Sequence, residues 1–167
     1  MEKLNKYKIP FVGLKEGKHE FEFSMNNEFF EQYDYDYIDN VELTAKVYLH
    51  KMSTMMILDF SLSGNYDTQC DLCGDDLRAT SDSEHRLYAK FGEGESTDEN
   101  ILMVPQKEHE INVADLIFEF FVTTIPLKHE HEEGQCNEEV IDKLSTYKIE
   151  NTEQESNPIW DKLKDLK

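Results

Sequence analysis

The sequence predicts an α+β fold: an antiparallel β-sheet with a few helices, and a CxxC knuckle at the end of a strand. Two observations carry this. Apolar and polar residues alternate over residues 41–62, the period of a half-buried strand, whereas from Val113 the spacing becomes that of an amphipathic helix. Several strands followed by helices indicate α+β with an antiparallel sheet.

In chain order, Lys6 to Phe11 read as a short extended segment, followed by turn residues Gly13 and Gly17. His19, Phe21 and Phe23 alternate with Glu20 and Glu22, a strand pattern. Asn26-Asn27 can cap a short helix through Tyr33, with Phe29 and Phe30 on its apolar side. Tyr33-Asp34-Tyr35-Asp36-Tyr37 has no clear period and reads as a connection. Its interleaved aspartates repel phosphate, which argues against a base-stacking platform. The clearest strand sets Val41, Leu43, Ala45, Val47 and Leu49 against Glu42, Thr44, Lys46 and Tyr48. After a turn near Lys51 to Ser53, Met56, Leu58, Phe60 and Leu62 alternate again, so the two runs form an antiparallel hairpin. The second strand is expected to end at Gly64 and deliver the chain to Cys70. A further strand, roughly Glu84 to Phe91, leaves the knuckle, and GEGESTDEN (92–100) is a flexible acidic loop.

Ile101 to Val104 form one more short strand. Val113, Leu116, Ile117, Phe120 and Phe121 then fall at helical spacing, with Asn112 as N-cap and Asp115 as its partner in the first turn. Pro126 ends this helix, so the His/Cys segment lies just beyond it. Asn137 to Leu144 is a weaker amphipathic segment. NTEQESN is polar, and Pro158 at the first helical position opens a last helix, IWDKLKDLK. The domain reading is a single α+β domain at 1–147, a polar linker at 148–157 and a short C-terminal helix at 158–167.

Asp and Glu outnumber Lys and Arg by 36 to 17, for a formal net charge of −19. Nucleic-acid affinity comes largely from Lys and Arg neutralising phosphates, so extensive direct RNA contact is disfavoured and DNA binding is not expected. A basic protein partner is favoured, because opposite fields raise association rates and help select partners. No apolar run is long enough to cross a bilayer, and MEKLNKYKIPFVGL lacks the apolar stretch of a secretory signal. The expected location is the cytoplasm, where thiols stay reduced and a CxxC binds metal or does chemistry.

Cys70, Cys73 and Cys136 are the only cysteines. Three thiolates and one imidazole make a Cys3His set, a closed structural zinc type, so one structural zinc is the expected cofactor. Cys70-Asp71-Leu72-Cys73 turns tightly enough for both sulfurs to face one ion, and Gly74 relaxes the backbone after it. The second half is supplied by Cys136 with either His131 or His129, and Gly134 permits the reversal between them. Spacing alone does not choose between the histidines, nor exclude reduced thiols capping a turn. A redox dithiol wants a low-pKa thiol near cationic groups. Here Asp71, Asp75 and Asp76 surround the pair and are expected to raise the thiols. A catalytic metal would need an open position and a general base, and there is no HExxH, P-loop, Rossmann glycine signature or GxSxG. His19, His50, His85 and His109 are isolated and read as surface or strand residues. Trp160, the one tryptophan, is expected to dock on the domain or to bind a partner.

Several stretches together resemble the YceD family, whose members are implicated in accumulation of large-subunit ribosomal RNA. They are LSGNYDTQCDLCGDDL, a strand leading through glycine into CxxC; INVADLIFEFFVTTIPLKHEHEEGQC, a helix running into Ile-Pro and a His/Cys loop; and NPIWDKLKDLK. Cys70, Cys73, Asp115, Pro126, His131, Cys136, Pro158 and Trp160 match the family's motifs. Leu72 departs from them, since the family often carries Arg there. The resemblance implies a role in large ribosomal subunit assembly without a defined reaction, and it brings no catalytic residues. The resulting expectation is a non-enzymatic ribosome-biogenesis factor whose acidic surface binds a ribosomal protein or assembly factor. The alternatives are a zinc- or thiol-dependent enzyme and a generic acidic chaperone for basic proteins.

Overall fold

A computed structural model of the protein describes residues 2–94 and 96–147; the expected linker at 148–157 and helix at 158–167 lie outside the described residues. A 3-10 turn, Glu2–Tyr7, leads into β1 (Lys8–Pro10) and β2 (Gly17–Met25). Helix α1 (Asn27–Phe30) continues as a second 3-10 turn, Glu31–Tyr33. Three long strands follow: β3 (Asp39–Lys51), β4 (Met55–Gln69) and β5 (Asp76–Phe91). The short strands β6 (Ile101–Val104) and β7 (Glu110–Asn112) precede α2 (Ala114–Thr124) and α3 (Glu138–Tyr147). One sheet has the order β2-β3-β4-β5-β6, and β1 pairs with β7 as a separate antiparallel ribbon. The architecture is the expected α+β type, with antiparallel pairing from β2 to β5 and β6 joining β5 in parallel.

The sheet is one-sided because its strands alternate. Val41, Leu43, Ala45, Val47 and Leu49 on β3 are all buried, as are Met56, Leu58, Phe60 and Leu62 on β4. The register sets Ala45 against Leu62, Val47 against Phe60 and Leu49 against Leu58, so the two apolar rows coincide. Helices α1 and α2 cover this face. Phe30 meets Phe121 at 4.9 Å between ring centroids, and Phe120 meets Phe60 edge-on at 5.1 Å, arrangements aromatic quadrupoles favour. The opposite face is polar and carries ion pairs, with Arg78 bridging Asp67 (2.7 Å) and Glu42 (3.1 Å). Such exposed pairs add little stability, and their presence marks a solvated face.

Helix α2 starts one residue later than expected. The N-cap is Val113, whose carbonyl accepts the Ile117 N–H at 2.9 Å, and not the expected Asn112, whose side chain lies one residue ahead and accepts the Ala114 N–H at 3.0 Å. Asp115 instead accepts the Tyr33 hydroxyl at 2.8 Å, beneath a Tyr33–Phe118 stack at 4.0 Å. Ile125 is extended ahead of Pro126, as the proline ring requires.

Three expectations need correction. Of the segment 6–11, Lys6 and Tyr7 belong to the 3-10 turn and only Lys8–Pro10 are extended, as β1, whose partner β7 had no signal of its own. β4 does not stop at Gly64 but runs on to Gln69. A side chain at Gly64 would collide with the Glu42 carbonyl, where the β3 register shifts between Asp39 and Glu42. The glycine therefore admits an irregularity of the neighbouring strand rather than ending its own. β5 starts at Asp76, well before Glu84. Its inward residues there include Ser81 and Ser83, so hydrophobic alternation is missing although the pairing is regular.

Candidate metal centre

The centre forms where the longest hairpin turns over. β4 and β5 stay in register as far as Gln69 and Asp76, which leaves 70–75 as the tip. Within it the Cys70 N–H donates to the Asp75 carbonyl (2.9 Å) and the Gly74 N–H to the Cys70 carbonyl (2.8 Å). Gly74 sits at φ 78°, a left-handed conformation that glycine adopts without steric cost. These bonds turn the Cys70 and Cys73 thiols inward, and both residues are buried.

The other half comes from the loop after α2. Asp71 stitches the halves together: its N–H donates to the His129 carbonyl (2.7 Å), and its carboxylate accepts the His129 N–H (2.6 Å). Gly134, at φ 84°, reverses the loop and returns Cys136 to the knuckle. Asn137 then donates to the Asp75 carboxylate at 3.2 Å.

One ligand atom from each of Cys70, Cys73, His131 and Cys136 lies within 4.8 Å of the others. Cys70 Sγ and Cys136 Sγ are 3.8 Å apart, and His131 Nδ1 lies 3.4 Å from Cys73 Sγ and 3.9 Å from Cys136 Sγ. Sulfurs held about 2.3 Å from the centre of a tetrahedron stand about 3.8 Å from one another, so the observed spacings suit one ion. The imidazole is oriented by its other nitrogen, with Nε2 3.1 Å from the Asp76 carbonyl. With the proton on Nε2, the Nδ1 lone pair is left for a metal. His129 is not part of the group. Its Nε2 bonds the buried Tyr66 hydroxyl at 2.8 Å, and its ring stands edge-on to Tyr66. Of the two histidines, His131 is the one the fold brings to the three thiols.

The thiols do not behave alike. Burial works to raise Cys70, but the backbone N–H groups of Cys73, His131 and Leu72, with the Cys73 side chain, outweigh it and bring Cys70 down to about 6. Cys136 is pushed up to about 11, first by burial and then by the neighbouring Cys70 and Cys73. The expectation that the aspartates would raise the knuckle thiols therefore fails at Cys70. The Asp71 carboxylate is engaged by the His129 N–H, and the backbone dipoles of the tip point at the sulfur. One thiol with a lowered pKa, two further sulfurs and an oriented imidazole can together hold one metal ion.

The fold around this centre has a family. Residues 58–167, about two thirds of the chain, match the model of the family described as large ribosomal RNA subunit accumulation protein YceD. The chain belongs to the YceD family. The matched part begins within β4 and contains the whole centre, the rest of β4, all of β5 and α2; β1, β2 and β3 precede it. No curated protein and no solved structure matches the chain. Of the positions that match YceD motifs, Cys70, Cys73, His131 and Cys136 form the centre, and Pro126 marks the end of α2. Asp115 serves the Tyr33 contact, while Pro158 and Trp160 lie outside the described residues. Leu72, at the position where the family often has Arg, is exposed at the knuckle tip.

Sequence reasoning missed three contributors: Tyr66, the Asp71 carboxylate and the Asp76 carbonyl. Tyr66 was within reach, because it continues the phase of Met56, Leu58, Phe60 and Leu62 along β4. The two aspartates gave no signal of their own, since acidic residues crowd the whole region. Among the described residues no helix is long and apolar enough to cross a membrane.

Proposed function

We propose that the protein is a non-enzymatic factor in large ribosomal subunit biogenesis, acting in accumulation of large-subunit ribosomal RNA through an acidic surface that binds a basic protein partner. Membership of the YceD family carries the ribosomal part of this reading. The metal centre is a structural zinc site that staples the β4–β5 hairpin tip to the loop after α2. Its donor set supports this, because three sulfurs and one imidazole complete a tetrahedron and leave no position for water or substrate.

Charge supports the protein partner. Beside the knuckle a hollow of about 320 Å³ is lined by Asp36, Asp39, Asp67 and Asp76 together with Tyr37, Thr68 and Gln69. Tyr37 is 77% exposed, with Tyr35 edge-on behind it at 5.5 Å. Carboxylates around an exposed aromatic ring fit Lys and Arg side chains by ion pairing and cation–π contact, and they repel phosphate. RNA is then reached through the partner.

Depletion of the protein followed by sedimentation of ribosomal particles tests the reading. Loss of large-subunit particles and their RNA relative to small-subunit particles is the expected result, and unchanged proportions would refute it.

A further inference from the structure

Helix α3 is amphipathic and has no buried residue. Val140, Ile141, Leu144 and Tyr147, at i, i+1, i+4 and i+7, form one apolar stripe, and Leu144 and Tyr147 are exposed at its end. Isolated helices shorter than about 12–15 residues are marginal in water, so a helix of 10 residues with no buried face calls for a covering partner. Beside this stripe lies a groove of about 650 Å³ between α3 and the knuckle. Leu72 and Ile141 give it apolar walls, and Glu130, Glu132, Glu133 and Asp142 form an acidic rim.

The chain carries a segment of matching pattern. Ile159, Trp160, Leu163 and Leu166 repeat the i, i+1, i+4, i+7 spacing of the α3 stripe, and three lysines (Lys162, Lys164, Lys167) outnumber two aspartates (Asp161, Asp165) between them. In a chain of net charge −19, this is one of the most cationic stretches. The tether allows an encounter. Ile141 lies about 9 Å back along the axis from Tyr147, the last residue of α3. Residues 148–157, fully extended, reach at most about 36 Å. A tether this short holds the segment near the groove at about millimolar effective concentration, so weak contacts suffice.

We propose that residues 158–167 dock on their own chain in the groove between α3 and the knuckle. Ile159, Trp160 and Leu163 lie on Leu72, Ile141 and Leu144, and the lysines face the glutamate rim. The docking completes the burial of α3. It stands independently of the ribosomal reading, because it requires no second molecule.

Trp160 is the only tryptophan, so its fluorescence in the full chain reports the docking directly. The expected result is a blue-shifted emission, poorly quenched by acrylamide and independent of protein concentration. Ile141→Asp shifts the emission to the red and increases quenching. Leu72→Asp does the same from the knuckle side without touching α3, whereas Asp36→Asn, which does not line the groove, changes nothing. Solvent-like emission from the unmodified chain would overturn the proposal, as would a shielded emission indifferent to both groove variants. Shielding that appears only with rising concentration would assign the groove to a second copy and overturn it equally.

Discussion

His129 and His131 are separated by one residue and serve different ends. His131 presents Nδ1 to the thiols while its Nε2 is held by the Asp76 carbonyl, and His129 is committed to the Tyr66 hydroxyl. His131→Ala is therefore expected to abolish stoichiometric metal in protein purified without chelator. His129→Ala should retain the metal and lose about 1 kcal/mol in urea unfolding, the net worth of one hydrogen bond. Metal contents reversed between the two variants would refute the assignment. The ligand types were legible in the sequence because three cysteines in an otherwise cysteine-free chain are distinctive. The choice of histidine was not, because either lies within turning distance of Cys136. The folded chain separates them, because Tyr66 holds His129 and the Asp76 carbonyl holds His131. The depressed Cys70 thiol was hidden for a related reason: it depends on the direction of backbone N–H groups, and nearby aspartates in the sequence suggested the opposite sign.

β5 shows how an element can be regular in pairing and irregular in composition. Its inner row passes from Ala79 through Ser81, Ser83 and His85 to Leu87, and Ser81 Oγ, Ser83 Oγ and His85 Nε2 are buried without a hydrogen-bond partner among the described residues. That polar row removed the alternation by which β3 and β4 were recognised and delayed the expected start of the strand to Glu84. His85 was expected to be a surface or strand histidine, and it lies on β5, where it stacks on Phe120 of α2 at 4.1 Å with rings 4° from parallel. Burial lowers its pKa, because the imidazolium would lose water and gain no partner. A histidine whose folded value is depressed contributes stability that is present above the unfolded pKa of about 6.5 and is lost as pH falls through the folded value. His85→Phe keeps the stack and removes both the charge and the unpaired nitrogen. The variant should be more stable than the parent by about 1 kcal/mol in urea melts near neutrality, with a gap that widens toward pH 5. A gap that stays constant or narrows with acidification would refute the assignment.

At the scale of the molecule, a one-sided sheet uses α1 and α2 to close its core and leaves its long hairpin tip to a side-chain cluster. The tip has few apolar residues of its own, so the Cys70, Cys73, His131 and Cys136 group stands where a core would otherwise be needed. Binding energy of such a site is folding energy, and chelation should loosen the tip and the 128–137 loop before the sheet. The fold class was legible because period two over β3 and β4 and helical spacing over α2 are strong signals. The parallel addition of β6 and the β1–β7 ribbon were not, because strands of three or four residues carry too little pattern to specify a partner. The net charge of −19 was plain from composition, but its placement around the knuckle, beside an exposed Tyr37, required the folded chain. The central claim is that this acidic face serves large-subunit RNA accumulation, and the ratio of large- to small-subunit ribosomal RNA tests it most directly. It is measured in depleted cells complemented by the parent chain or by Asp36→Lys, Tyr37→Ala, Asp39→Lys, none of which touches the metal cluster. The account predicts that the parent restores the ratio and that the variant, folded and metal-loaded, does not; equal restoration by both would contradict it.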